Sequence, residues 1–398
     1  MWIFSGLVQT GAVTALNLRT LRGRLASSAV AVIGMAGVVA VLVSVLSIAE
    51  GIRTMMANTG SAESAIVMRS GSDAEMTSIM TREDIQAVKD APEIARATGI
   101  GPLASAELFV TVDLVKASTG TTGNAPLRGV EPAAFKVRDL KIVKGRMLEP
   151  GRNEVMVGRA AASQYKGLDV GATLHLGQNT WQVVGIFDAG GTVPDSELWC
   201  DAGVLAPLYR RGSTRQALYA RLSSASVFPS FKDRLTTDPR VKVKVMLERE
   251  YYAGQSELLS RTIVVIGGII GVLMGIGALF VAVITMYSAV ASRTRVIATL
   301  RALGFRGGPV VISVLVESMI LSLVGGAVGA AVAYFGFNGY EAATMNWQNM
   351  STIAFAFRVT PALLVLGVAW ALVLGLLGGL FPAIRAMRLP IVTALREL

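Results

Sequence analysis

Residues 292–308 read SRTRVIATLRALGFRGG, and their place between two long apolar runs decides the fold. Ahead of the first arginine lie 31 uncharged residues, 262–292, and another apolar run begins at Pro309. The stretch holds Arg293, Arg295, Arg301 and Arg306 and no acid. Val296, Ile297, Leu300 and Leu303 fall at helical spacing and are expected to share one face, with Arg293 at its start and the other arginines off it. A short basic amphipathic helix between two membrane crossings cannot sit in hydrocarbon, so it rests at a membrane surface. The excess of arginine makes that surface the cytoplasmic one.

Working outward, four runs reach the length of about 20 apolar residues that a crossing needs. They are 26–49, 262–291, 309–337 (interrupted by Glu317) and 359–384. The 398 residues are 53% hydrophobic and 16% charged, with a mean hydropathy of +0.56, which suits a membrane protein carrying a sizeable soluble part. Four crossings return the chain to the side on which it started. Charge says which side. Arg19, Arg22 and Arg24 precede the first run, four arginines fill 292–308, and Arg385, Arg388 and Arg396 follow the last run, with Glu397 the single acid among these segments. The remainder holds 27 basic and 26 acidic residues, so the formal +10 is topological and does not mark a nucleic-acid-binding face. Both termini are therefore expected in the cytoplasm. The first run, 24 residues without charge, exceeds the roughly 7–15 of a signal-peptide core and reads as a retained span.

The expected fold is an α-helical membrane protein with four transmembrane helices and a large extracytoplasmic α/β and β-rich domain inserted between helices 1 and 2. Residues 1–25, with Trp2, Phe4, Leu7, Val8, Leu16 and Leu18 before three arginines, read as an interfacial helix. The first span is set at 26–50 and the external domain at 51–260. Strand-like runs occur at 65–69, 108–115, 154–157, 174–176, 181–187, 217–222 and 241–246, and helices start at Thr81 and near Ser226. Strand, helix, strand occurs twice, at about 60–117 and 215–250, and these flanks are expected to pair around a β-rich insert at about 118–214. The second span with its stalk occupies 261–291; wholly helical, 31 residues would reach roughly 46 Å against a core of about 30 Å. After the basic turn, 292–308, come the third span 309–337, a short external loop 338–358, the fourth span 359–385 and a cytoplasmic tail 386–398. Tyr340, Trp347, Phe355 and Phe357 in the short loop suit a membrane interface. Glycines throughout the spans point to close helix packing.

Several stretches resemble a known family. SRTRVIATLRALGFRGGPVV, followed by VLVESMILSLVGGAVG, is similar to the core signature of the MacB/FtsX-type ABC transporter permeases. The tail FPAIRAMRLPIVTALREL, the start NLRTLRGRLASSAVAVIGMAGVVAVL, and RGVEPAAFKVRDLKIVKGRMLEPGRNEVMVGRAAA with WQVVGIF are similar to the corresponding parts of that family. The resemblance implies a permease subunit of the bacterial cytoplasmic (inner) membrane, used twice per transporter. A homodimer is expected rather than a heterodimer. It implies mechanotransmission, in which ATP-driven movement in the cytoplasm is relayed to the periplasmic domain to export or extract a substrate. Some members use the same architecture to regulate a cell-wall hydrolase. Expected partners are a cytoplasmic ABC ATPase, the second permease copy, membrane lipid and, in exporters, a periplasmic adaptor protein; nucleic acid is not among them. No Gly-x-x-x-x-Gly-Lys-Ser/Thr occurs, so ATP and Mg are expected on a separate ATPase and no cofactor on this chain.

With that resemblance, Arg293, Arg295, Leu300, Arg301, Gly304 and Phe305 are the candidates for the ATPase-coupling contact, apolar knobs filling a groove and charges holding register. Glu317 is the one charged residue inside the third run and needs a partner there, in a neighbouring span or in a loop arginine. A proton relay would need a second acid or a histidine within the four apolar runs, and there is none. Cys200 and His175, the only cysteine and histidine, stand 25 residues apart with no accompanying motif. No catalytic residue and no metal site is expected.

Overall fold

The first apolar run folds as helix α1 (Leu25–Ala57) in a computed structural model that describes residues 9–11, 13–15, 25–176, 179–305, 307–346 and 349–388. Along the chain follow β1 (Ser64–Arg69), α2 (Arg82–Lys89), β2 (Arg96–Ala97), β3 (Gly101–Pro102), β4 (Ala104–Val115), β5 (Thr122–Val130), α3 (Ala134–Val137), β6 (Lys141–Gly145), β7 (Glu154–Gly158) and α4 (Arg159–Gln164). Next come β8 (Thr173–Leu176), β9 (Asn179–Asp188), β10 (Leu198–Asp201), α5 (Ala202–Leu208), β11 (Ala217–Arg221), α6 (Phe228–Thr237) and β12 (Val243–Leu247). The chain continues with α7 (Glu248–Ala291), α8 (Thr294–Ala302), α9 (Gly307–Phe337), β13 (Glu341–Asn346), β14 (Ser351–Ala356) and α10 (Pro361–Arg388). Two compact units result. One holds Gly51–Ser260 with Glu341–Ala356, and the other holds Met1–Glu50, Arg261–Tyr340 and Phe357–Leu398.

The first unit is built on a sheet whose strand order is β12-β1-β11-β4-β5-β10-β7-β9-β6, with β8 on β9. Strand β4 joins its two halves. Residues Ala104 to Glu107 pair with β11, and Leu108 to Val115 pair with β5. The flanking segments and the insert therefore share one sheet. Alternation sorts the side chains: Leu108, Val110, Val112 and Leu114 of β4 join Val155 and Val157 of β7 and Leu198 and Cys200 of β10 in one core. Met156 and Trp199 point to the other face and pack with Phe135 and Phe187.

Helices α2 and α6 contribute Ile85, Val88, Phe231 and Leu235 to a core with β1, β11 and β12. The α2 start is a reciprocal cap, Thr81 Oγ1 accepting from the Asp84 amide and the Asp84 carboxylate from the Thr81 amide, worth about 1 kcal/mol. Burying Phe231 and Leu235 contributes about 1.5–3 kcal/mol each.

In the second unit, α1, α7, α9 and α10 are long and apolar enough to cross a membrane. Their interfaces are made by small residues. A Cβ placed on Gly325 of α9 would stand 2.8 Å from Met35 Cβ of α1, and one on Gly379 of α10 would stand 2.8 Å from Ser318 Cβ of α9. Ser318 Oγ also donates to the Gly375 carbonyl at 2.6 Å, using a contact that only closely spaced helices allow. Helix α7 is one element of 44 residues, of which those up to Ser260 belong to the sheet unit.

The segment 338–358 departs from the expected loop. Most of it is the hairpin β13–β14, which belongs to the sheet unit. The Ala354 amide donates to Ser196 Oγ at 2.8 Å, Asn346 Nδ2 to Gln255 Oε1 at 3.0 Å, and Asn124 Nδ2 to the Met350 carbonyl at 3.3 Å. Phe355, in β14, is accordingly buried in protein and not free to act as an interfacial anchor. Tyr340 is exposed and packs edge-on to Phe357. Of the proposed interfacial helix, Trp2, Phe4, Leu7, Val8, Leu16, Leu18, Arg19, Arg22 and Arg24 lie outside the described residues, as do Arg306, Trp347 and the tail from 389 onward.

Candidate functional site

The basic turn folds as α8, nine residues between α7 and α9. Its arginines do not act alike. Arg293, just ahead of the helix, turns inward, and its Nη1 and Nη2 donate to Glu317 Oε2 and Oε1 of α9, both at 2.9 Å. Glu317 is 2% exposed, so this is a bidentate pair removed from water. Around it Ile297 packs with Met286, Val290, Val310, Val314, Ala383 and Ala386. Arg301 Nη1 donates to the Met387 carbonyl of α10 at 2.7 Å.

The end of α8 holds three more of the expected coupling residues. The Phe305 amide donates to the Leu300 carbonyl at 3.1 Å and the Gly304 amide to the Arg301 carbonyl at 3.1 Å, with Gly304 at a φ of +94°. That bond pair is a Schellman stop, in which the left-handed residue is best supplied by glycine. The main chain of Leu300, Gly304 and Phe305 thus takes part in ending the helix.

The buried side of α8 runs through Arg293, Ile297 and Ala298, which corrects the stripe expected from spacing. Val296 and Leu303 face away, 44% and 72% exposed, and Arg295 and Thr299 are exposed on the same side. The Arg293–Glu317 pair and the packing of Ile297 lie on the same, buried side. Hydrophobic spacing alone could not reveal it. The outward face is Arg295, Val296, Thr299 and Leu303. Only Arg295 among the six expected coupling residues belongs to it.

The sheet unit carries a second concentration of charge that the linear reading missed. Arg128 of β5 donates through Nε and Nη2 to Glu197 at 2.8 and 2.7 Å, through Nη1 to Glu107 at 3.0 Å and through Nη2 to Glu75 at 3.0 Å. Arg138 donates through both terminal nitrogens to Glu107 at 2.8 and 2.7 Å, and through Nε to Glu248 at 3.4 Å. Tyr219 bonds Glu75, Trp199 Nε1 donates to Glu197 at 2.7 Å, and the Arg138 guanidinium stands 3.8 Å from the Tyr219 ring centre. The two guanidiniums hold Glu197 below the usual carboxylate range, Arg128 most strongly, against the opposing effect of burial. Burial pushes Glu248 above that range, with Arg138 only partly offsetting it.

This cluster anchors α7, of which Glu248 is the first residue. The end of α1 meets the same point. Gly60, at a φ of +84°, passes so close to Glu248 that an added Cβ would lie 2.8 Å from its Cβ. The arrangement binds helix ends to a sheet and presents no nucleophile. Cys200 is buried, its thiol pushed up by burial, and its Sγ donates to the Arg128 carbonyl at 3.7 Å. His175 is exposed beside Thr180 Oγ1 at 3.4 Å. The one available signal was Arg128 itself, a charge inside the buried run PLRGV.

Residues 28–238 match the MacB-like periplasmic core domain and residues 264–391 the FtsX-like permease C-terminal domain. The chain is 30% identical over 153 residues to the ABC transporter permease YknZ of Bacillus subtilis, covering 38% of this chain and 36% of that protein. It is 22% identical over 400 residues to the macrolide export ATP-binding/permease protein MacB of Bdellovibrio bacteriovorus, covering 92% of this chain and 58% of that protein. The chain thus spans between about a third and three fifths of these curated relatives. The periplasmic region of MacB from Actinobacillus actinomycetemcomitans aligns with a TM-score of 0.36 at 15% identity, over 50% of this chain and 92% of that one.

Proposed function

The chain belongs to the MacB/FtsX-type ABC transporter permeases, and we propose that it is the permease subunit of a mechanotransmission complex. A cytoplasmic ABC ATPase, holding ATP and Mg, docks on the outward face of α8. Its cycle moves α8, and the movement reaches the sheet unit through α1 and α7, each of which has residues in both units. The sheet unit then works in the periplasm on a substrate to be exported or extracted, with an adaptor protein as its partner there. Two copies of the chain act together in the inner membrane, with both termini in the cytoplasm.

The division of labour on α8 carries this reading. Arg293 and Arg301 tie the helix to α9 and α10, while Arg295, Val296, Thr299 and Leu303 are left exposed on the opposite side. A force-taking element needs both a rigid mount and an apolar-plus-charged contact. Val296→Asp with Leu303→Asp tests it in the full chain co-purified with its ATPase. The expected result is loss of ATPase recruitment, or of the hydrolysis that the permease stimulates, with an unchanged thermal midpoint. Full recruitment and full stimulation would overturn the reading.

A further inference from the structure

Among the described residues, strand β6 ends the sheet, pairing with β9 on one side only. All five of its residues are exposed, Ile142 at 41% and Val143 at 60%, and exposure continues through Gly145, Arg146 and Met147. Edge strands of monomers are ordinarily guarded by lysines and bulges, because free N–H and C=O groups invite another strand. Both guards are present: Lys141 and Lys144 flank the apolar pair, and the register with β9 slips between Ile142 and Lys144, leaving Val143 as the extra residue. Asp139 is the one acid between 139 and 147.

Such a guard is selective. A second copy pairing through its own β6 would set lysines against lysines, which is destabilising across a strand pair. A strand bearing carboxylates turns the same lysines into attractive partners and covers Ile142 and Val143 with its apolar residues. We propose that β6 is a docking edge for an extended acidic-and-apolar segment of another protein, which adds to the sheet by main-chain hydrogen bonds. The inference stands apart from the relay through α8, since it uses the sheet unit alone.

The test uses the full chain in detergent and a nine-residue peptide of alternating glutamate and valine. Its controls are the lysine–valine counterpart and the same acidic peptide N-methylated at alternate residues. Hydrogen exchange of the β6 amides and peptide anisotropy are read together. The acidic peptide is expected to slow exchange in 141–145, and Lys141→Glu with Lys144→Glu to weaken its binding about tenfold, as two cross-strand pairs change from attraction to repulsion. The N-methylated and lysine peptides should not bind. Absence of protection by the acidic peptide would overturn the proposal, as would equal binding of the N-methylated peptide. Protection that rises with protein concentration alone would assign the edge to a second copy instead.

Discussion

Arg293 and Glu317 hold each other where either alone would be a buried, unpaired charge. Removing one partner of such a pair costs about 3–5 kcal/mol, whereas replacing both with apolar groups is often close to neutral. Glu317→Ala should therefore lower the thermal midpoint of the detergent-solubilised chain sharply, and Arg293→Met with Glu317→Leu should recover most of the loss. In the sheet unit the charges are unequal: Glu75, Glu107, Glu197 and Glu248 surround Arg128 and Arg138. Burial lifts the Glu248 carboxyl above its ordinary 4.5, so its proton is bound more tightly in the fold than in the unfolded chain. Stability linked to it is full below pH 4.5 and is lost as pH rises through the folded value. Glu197 is shifted the other way, and its contribution is present above pH 4.5 and lost as pH falls through its lowered value. Glu248→Gln should raise the midpoint at neutral pH and flatten the decline above pH 4.5, while Glu197→Gln should lower the midpoint at neutral pH. Unfolding curves at pH 5 and pH 8 separate the two.

At the scale of elements, α8 is defined by how it begins and ends. Gly304 is exposed and has open space around it, so a side chain there meets no neighbour, only the left-handed backbone. Gly304→Ala should cost about 1 kcal/mol, read from denaturant midpoints, with a larger loss for a β-branched residue. The hairpin β13–β14 shows the same dependence on partners. The segment 338–358 reads in sequence as a short loop with interfacial aromatics, and its strands form where the rest of the sheet unit supplies Ser196, Asn124 and Gln255 as hydrogen-bond partners. Helix α2 starts where its Thr81–Asp84 cap puts it, because that signal is local, while α6 starts at Phe228 without a side-chain cap and is held by Phe231 and Leu235 in the core.

For the whole molecule, the arginine bias makes a topological claim that can be checked on intact cells. With Cys200→Ala as background, Arg295→Cys should resist a membrane-impermeant maleimide from outside and react after the inner membrane is opened. Arg152→Cys, on the exposed part of the sheet unit, should show the reverse once the outer barrier is permeabilised. Labelling of position 295 from outside would remove the cytoplasmic contact from which the proposed relay starts.

Four helices of crossing length and a large domain between the first two were legible in the chain because they depend on run length and composition, which are properties of neighbours in sequence. The same holds for the start of α2 at Thr81 and for the runs that fold as β1, β4, β7, β8, β9, β11 and β12, whereas β5, β6 and β10 were not marked by local pattern. The inward turn of Arg293, the exposure of Val296 and Leu303, and the gathering of Glu75, Glu107, Glu197 and Glu248 on two arginines were decided only by tertiary structure. Hydrophobic periodicity gives a helix an apolar side but not its rotation against particular neighbours, and it says nothing of which distant carboxylates a buried guanidinium will collect. Those outcomes follow from the cost of leaving a charge unpaired away from water, which arises only once the chain has closed around it.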